Sequence, residues 1–452
     1  MLYFFVRPFA TIALKIFFRR IYFANAEVIP ADKPVILAAN HPTAFLEPCI
    51  MACLLDRPLY FLVRGDLWKK KLYGALLTSL HMIPVFRMKD GGYKGLKQNF
   101  ESLNKSQEAL AAGKTIMILA EGTTVHEKRL RPLRKGAARL ALGAVAAKPD
   151  LDLWVVPVGV NYTYAERPRS EVMIEFGKPL RAADYLPQYQ ENNNIAIEGL
   201  TNDLADALEK HIIIIDDKKD EALTEQLFQL QRNDSAKPIL PIQSNQAKPL
   251  HREKQLAFRF RHLAASEKTA LAGQMGEYFD RLKTAGVTDF GVARADDYKL
   301  IPSLISLVFG FIPFILGTLA NVLPVGLAQR ITRKKVKEIE YFSSVMAGLS
   351  MVLTLVYGLV LAILLTVWMG WSGLACAFLL PFFGYFALIY KEYVLGWRES
   401  RKVKNLPPGQ WESLTQERAA IMQIVRPLWQ PANQVSTQEE VKTPGAGAIR
   451  PK

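Results

Sequence analysis

Between Pro34 and about Pro179, short apolar runs alternate with longer amphipathic stretches. The runs are Val35 to Ala39, Leu59 to Val63, Met82 to Phe86, Thr115 to Ala120, Leu153 to Val160 and Val172 to Phe176. Brief segments rich in Val, Ile and Leu predict strands buried on both faces. The intervening segments, such as Tyr93 to Ala112 and Arg134 to Ala147, repeat their apolar positions with a helical period. The alternation predicts an α/β domain over residues 29–190, a mixed, largely parallel sheet flanked by helices. Chemistry in such folds gathers in the loops at strand ends.

The pattern changes on either side. At the amino terminus, Arg7, Thr11, Lys15 and Arg19 fall in one sector of a helix that is otherwise Phe, Leu, Ile and Tyr. This predicts an interfacial amphipathic helix over residues 1–28, its basic residues toward lipid headgroups. A cleavable signal is disfavoured, because those charges interrupt the apolar run and no basic residue precedes it. Residues 191–300 read as a helical insert with a polar linker at about 232–252.

Tyr341 to Tyr390 contains no Asp, Glu, Lys, Arg or His. As one helix it would measure about 75 Å, against a hydrocarbon core of about 30 Å. Two transmembrane helices fit over residues 341–390, turning at Trp368-Met369-Gly370-Trp371-Ser372-Gly373. Residues 301–329 are also uncharged but contain Pro313, Gly317, Pro324 and Gly326, which predicts a re-entrant or interfacial segment. Basic residues flank the hairpin at 330–337 and 391–404, so both outer ends, and the α/β domain with them, are expected on the cytoplasmic side. Residues 391–452 read as a basic juxtamembrane segment and a tail that is disordered from Pro431.

Composition narrows the partners. The formal charge of +15 accompanies 50% hydrophobic residues, a balance that favours membrane lipids or phosphate-bearing substrates over nucleic acid. Three cysteines, Cys49, Cys53 and Cys376, supply no disulfide framework.

The candidate chemistry lies in Asn40-His41-Pro42-Thr43-Ala44-Phe45-Leu46-Glu47-Pro48, where a histidine and a carboxylate stand one or two helical turns apart. An imidazole held by a carboxylate is an oriented general base for a hydroxyl. Three further blocks follow: Ile83-Pro84-Val85-Phe86-Arg87, Glu121-Gly122-Thr123-Thr124 and Val155-Val156-Pro157-Val158. In type, order and spacing the four blocks resemble the glycerolipid acyltransferase superfamily, the PlsC-like enzymes. The wider layout resembles the glycerol-3-phosphate acyltransferase branch of yeast and some bacteria.

The resemblance implies a fatty acyl transfer from acyl-CoA or acyl-carrier protein to glycerol 3-phosphate or 1-acyl-glycerol 3-phosphate. His41 is then the general base and Glu47 its partner, one residue beyond the position of the usual Asp, which here is Leu46. Arg87, Glu121, Gly122 and Thr123 are implied in acceptor binding. The cations after the third block, Lys128, Arg129, Arg131, Arg134 and Lys135, are expected to take the phosphate, with Arg129 and Arg134 foremost. Thr124 stands where many relatives have Arg. No Ser or Cys nucleophile signature is present, so direct transfer without an acyl-enzyme is expected. His81 is expected to pack before a strand, while His126 stands near the third block; neither has companions at ligand spacing, so no metal and no bound cofactor are expected. Two alternatives stay open: a lysophospholipid acyltransferase with another headgroup, and a non-catalytic membrane lipid-binding protein.

Overall fold

A computed structural model describes residues 2–85, 101–236 and 239–430. The chain divides into two units, one formed by Met1–Ile214, Pro238–Ala247 and Ile312–Leu388, the other by Ile215–Lys237, Lys248–Phe311 and Ile389–Lys452.

Among the described residues, the first unit is built on a nine-stranded sheet. Its strands are β1 (Arg20–Ala24), β2 (Val35–Ala39), β3 (Leu59–Arg64), β4 (Met82–Val85), β5 (Thr115–Leu119), β6 (Trp154–Tyr162), β7 (Glu171–Phe176), β8 (Leu180–Arg181) and β9 (Gln243–Ser244). They lie in the order β4-β3-β5-β2-β6-β7-β1-β9, with β8 also on β6. The pairings are parallel apart from β6 with β7 and β6 with β8. β2 runs between β5 and β6, and Val35, Leu37 and Ala39 enter one core while Ile36 and Ala38 enter the other. Both faces are covered, which is why this strand reads as an unbroken apolar run.

One core is completed by helices α1 (Leu2–Phe17) and α2 (Leu46–Leu54). A third helix, α3, spans Lys71–Ser79, and residues 101–111 form α4. The opposite core takes Leu110 of α4, the alanine-rich face of α5 (Gly136–Ala147) and the apolar face of α7 (Asn193–Glu209), which follows the short α6 (Leu186–Glu191).

Two sequence expectations change here. Helix α1 stops at Phe17, and residues 20–24 are a fully buried strand rather than the end of an interfacial helix. No Gly or Pro stands between Ala10 and Ala24, so periodicity alone does not mark the boundary. Arg7 also departs from the expected placement of the basic residues. Phe4, Phe5, Phe9 and Ile12 are its exposed side chains, whereas Arg7 turns inward and donates to the carbonyls of Cys53 and Leu55 at the end of α2. Those terminal carbonyls lack helical partners and carry partial negative charge, so they bind the guanidinium.

The second unit packs α8 (Glu221–Asn233), α9 (Lys248–Arg261), α10 (Ala265–Ala285), α11 (Asp289–Arg294) and α15 (Gln410–Val425). At its centre the fully buried Asp289 accepts from Tyr278 Oη at 2.9 Å, Arg418 Nε at 2.8 Å and Asn233 Nδ2 at 2.8 Å. Three donors compensate a carboxylate that burial alone would expel.

Among the described residues, three helices are long and apolar enough to cross a membrane: α12 (Leu300–Lys335), α13 (Ile339–Met369) and α14 (Trp371–Lys404). The turn expected at Gly370 joins α13 to α14. Residues 301–329 are part of one 36-residue helix with Pro313 and Pro324 inside it. In apolar surroundings a break would strand backbone groups away from water, which makes an imperfect helix the lower-cost state. Gly317 permits a close approach: a Cβ there would stand 1.9 Å from the carbonyl oxygen of Phe383. The carboxy-terminal tail beyond Gln430 lies outside the described residues.

Candidate active site

The site forms at the carboxy ends of β2, β5 and β6. Asn40 leaves β2 and fixes the loop with two hydrogen bonds to one residue of β6: its Nδ2 donates to Val160 O at 2.9 Å, and Val160 N donates to its Oδ1 at 2.7 Å. The next residue, His41, donates its backbone N–H to Glu121 Oε2 at 2.7 Å. These bonds fix the imidazole's backbone before any side-chain contact is made.

Glu47 sits in the first turn of α2 and is fully buried. Its Oε1 accepts from Thr43 N at 2.8 Å, Thr43 Oγ1 at 2.7 Å and Tyr162 Oη at 3.3 Å. Burial and the neighbouring Glu47 charge push the Tyr162 phenol well above its ordinary pKa, so it remains a donor. The other oxygen, Oε2, lies 3.7 Å from His41 Nδ1. That distance is a charge contact and longer than a hydrogen bond. Both atoms are buried without a hydrogen-bond partner. On the far side of the ring, His41 Nε2 is 2.7 Å from Thr124 Oγ1.

The loop between the two residues has an outside support. Ala44 N donates to Glu340 O at 3.1 Å and Phe45 N to Ser344 Oγ at 3.2 Å, while Ser343 Oγ donates to Ala165 O at 2.5 Å. Met346 joins the core beneath. The first turns of α13 therefore hold the segment that carries the His–Glu pair.

Glu121, Gly122 and Thr123 form a brace. Glu121 Oε2 also accepts from Arg131 Nη2 at 2.9 Å, and its Oε1 accepts from Arg131 N at 2.9 Å. Arg131 further donates from Nη1 to Thr123 Oγ1 at 2.7 Å and from Nη2 to Thr123 O. Gly122 adopts a φ of +70°, and a Cβ on it would meet Arg134 Cγ at 2.8 Å. A side chain there would be both strained and obstructed.

The cations after the third block do not gather as one cluster. Lys128 and Arg129, with His126, line a cleft of about 30 Å³ beside Asn40, Pro42 and Tyr162. Arg131 is committed to Glu121 and Thr123, Lys135 reaches Glu198 at 3.1 Å, and the stem of Arg134 covers Gly122. Arg87 lies outside the described residues. His81 is away from this loop, stacked between Tyr3 and Tyr60 with ring centroids 4.6 Å from each.

Sequence reasoning assigned no roles to Thr43, Thr124 and Tyr162, and it expected Arg131 at the phosphate rather than on Glu121 and Thr123. Thr43 is four residues before Glu47, and Tyr162 ends the strand that carries the fourth block. Those positions were the available signal.

This constellation can take a proton from a hydroxyl at Nε2 and stabilise the resulting imidazolium through a buried carboxylate. The Acyltransferase family model matches residues 20–161. Glycerol-3-phosphate O-acyltransferase 1 of Saccharomyces cerevisiae is 31% identical over 113 residues, covering 24% of this chain and 15% of the yeast protein. The 1-acyl-sn-glycerol-3-phosphate acyltransferase of Bacillus subtilis is 23% identical over 164 residues, 36% of this chain and 74% of that protein. The crystal structure of the 1-acyl-sn-glycerophosphate acyltransferase PlsC from Thermotoga maritima aligns with 17% identity and a TM-score of 0.33, over 45% of this chain and 78% of that one. The likeness to the acyltransferase family covers residues 20–161, under half of the chain.

Proposed function

We propose that the protein is a membrane O-acyltransferase that moves a fatty acyl group from acyl-CoA or acyl-carrier protein to the hydroxyl of glycerol 3-phosphate or 1-acyl-glycerol 3-phosphate. The observation that carries the proposal is the His41 ring, with Nε2 toward a hydroxyl and Nδ1 toward the buried Glu47. In the reaction, the acceptor oxygen bonds to the thioester carbonyl carbon, its proton passes to Nε2, and the C–S bond breaks. The proton then leaves on the departing thiol. General-base assistance contributes roughly 10² to 10⁴ in rate, and positioning supplies much of the rest. His126, Lys128 and Arg129 offer donors for the acceptor's phosphate on the cleft side of Asn40.

The α13–α14 hairpin crosses the bilayer with the acyltransferase domain at its cytoplasmic ends. Helix α12 does not cross. Three crossings would leave residues before α12 and at the end of α14 on opposite faces. In the second unit, however, Tyr393 Oη bonds Ser303 Oγ at 3.0 Å and Arg401 Nη2 bonds Tyr298 O at 2.6 Å. An even number of crossings meets this constraint, so α12 lies along the membrane.

The test is acyl transfer by membranes containing the protein, with labelled acyl donor and each acceptor, beside His41→Ala. Product from one acceptor identifies the substrate. Product that is independent of His41 refutes the base, and absence of product with every donor and acceptor favours a lipid-binding role.

A further inference from the structure

The hydroxyl on His41 Nε2 belongs to the protein itself. Thr124 Oγ1 stands 2.7 Å from the atom that must receive the acceptor's proton. Meanwhile the Glu47 side of the ring is slack, 3.7 Å away with both facing atoms unpartnered. The ring is thus held from its reactive side. A buried imidazole nitrogen left open at that position would bind water, and water on a general base beside a thioester is a nucleophile.

We propose that Thr124 is a positioning residue whose hydroxyl stands in for the acceptor, occupying Nε2 until the acceptor's hydroxyl displaces it, and so keeping water from attacking the acyl donor. The proposal rests on His41 acting as the base. The reaction it suppresses is hydrolysis: water oxygen bonds to the thioester carbon, its proton passes to Nε2, the C–S bond breaks, and the thiol leaves with that proton. Displacing Thr124 frees the ring to close the remaining gap to Glu47, so the hydrogen bond that orients the base forms only once an acceptor is bound. Loop geometry supports this use of a threonine. Glu121 and Arg131 hold the backbone on either side through His41 N and Thr123, and Val125 N donates to His41 O at 3.4 Å. The hydroxyl therefore moves by side-chain rotation while the backbone stays in place.

The experiment measures acceptor-independent release of free fatty acid against acyl transfer, in the full-length protein in membranes, for wild type, Thr124→Ala, Thr124→Ser and His41→Ala. Thr124→Ala should raise the ratio of hydrolysis to transfer at least about fivefold, the scale of one lost hydrogen bond, and Thr124→Ser should restore the low ratio. A folded Thr124→Ala protein with an unchanged ratio overturns the proposal, as does one that transfers nothing while Thr124→Ser transfers normally, since the hydroxyl would then be taking the acyl group itself. His41→Ala separates the two readings. If it still transfers, the base assignment has failed; if it is inactive while Thr124→Ala leaves the ratio unchanged, only the stand-in has failed.

Discussion

Replacing Glu47 by Gln should cost most of the turnover and little of the fold. The amide is isosteric with the carboxylate, and its oxygen can keep the bonds from Thr43 N, Thr43 Oγ1 and Tyr162 Oη. Its NH2 group then faces His41 Nδ1 and favours the tautomer with the proton on Nε2, which cannot accept from a hydroxyl. The charge that would stabilise the imidazolium is also lost. At 3.7 Å and an effective dielectric constant of about 20, that attraction is worth about 4 kcal/mol, or roughly 10³-fold in rate. Steady-state kinetics on membrane-bound enzyme should show kcat down by about 10³ with the acceptor KM nearly unchanged. By contrast, Glu47→Ala orphans three buried donors at about 1–3 kcal/mol each, and should lower the amount of folded protein. A Glu47→Gln enzyme within about tenfold of wild-type kcat would show that the ring is oriented by something else.

Arg129→Ala should raise the acceptor KM about tenfold, the scale of one charge-assisted contact, while Arg134→Ala, whose stem covers Gly122 outside the cleft, should change it far less; equal effects would refute this division. Burial pushes His81 below the ordinary imidazole range. The unfolded chain therefore takes up the proton first, and stability present at pH 7 is lost as pH falls through about 6.5 toward the lower folded value. His81→Asn, which tolerates the φ of +62°, should show a smaller fall in Tm between pH 7 and pH 5; an equal fall points to another group. Single cysteines placed at Tyr298 and at Lys337 should react with an impermeant maleimide from the same side of the membrane, and labelling from opposite sides would mean that α12 crosses.

Strands β2 to β7 were legible because each carries a short apolar run between helical stretches, unbroken in β2, which is covered on both faces. Strands β1, β8 and β9 were not. β1 merges with a preceding apolar helix, and β8 and β9 have only two residues each, too few to express a period. The misplacement of Arg7 has a similar cause: sequence shows that it belongs to a polar sector, but carbonyls left bare at the end of α2 decide where its side chain points. His41 and Glu47 could be paired from spacing. Thr124 and Tyr162 reach the same point from loops and strands separated by over eighty and over a hundred residues, and single-sequence periodicity carries no information about such distances.

Ser344 and the Glu340 carbonyl at the start of α13 make the His41–Glu47 loop depend on a helix long and apolar enough to cross a membrane. A helix that spans the bilayer adjusts its tilt to the local hydrocarbon thickness, and its first turn moves with that adjustment. Here the first turn grips the backbone midway between base and carboxylate. Under the proposed function, lipid packing would act on the His41–Glu47 separation as a mechanical input, and turnover would depend on membrane thickness.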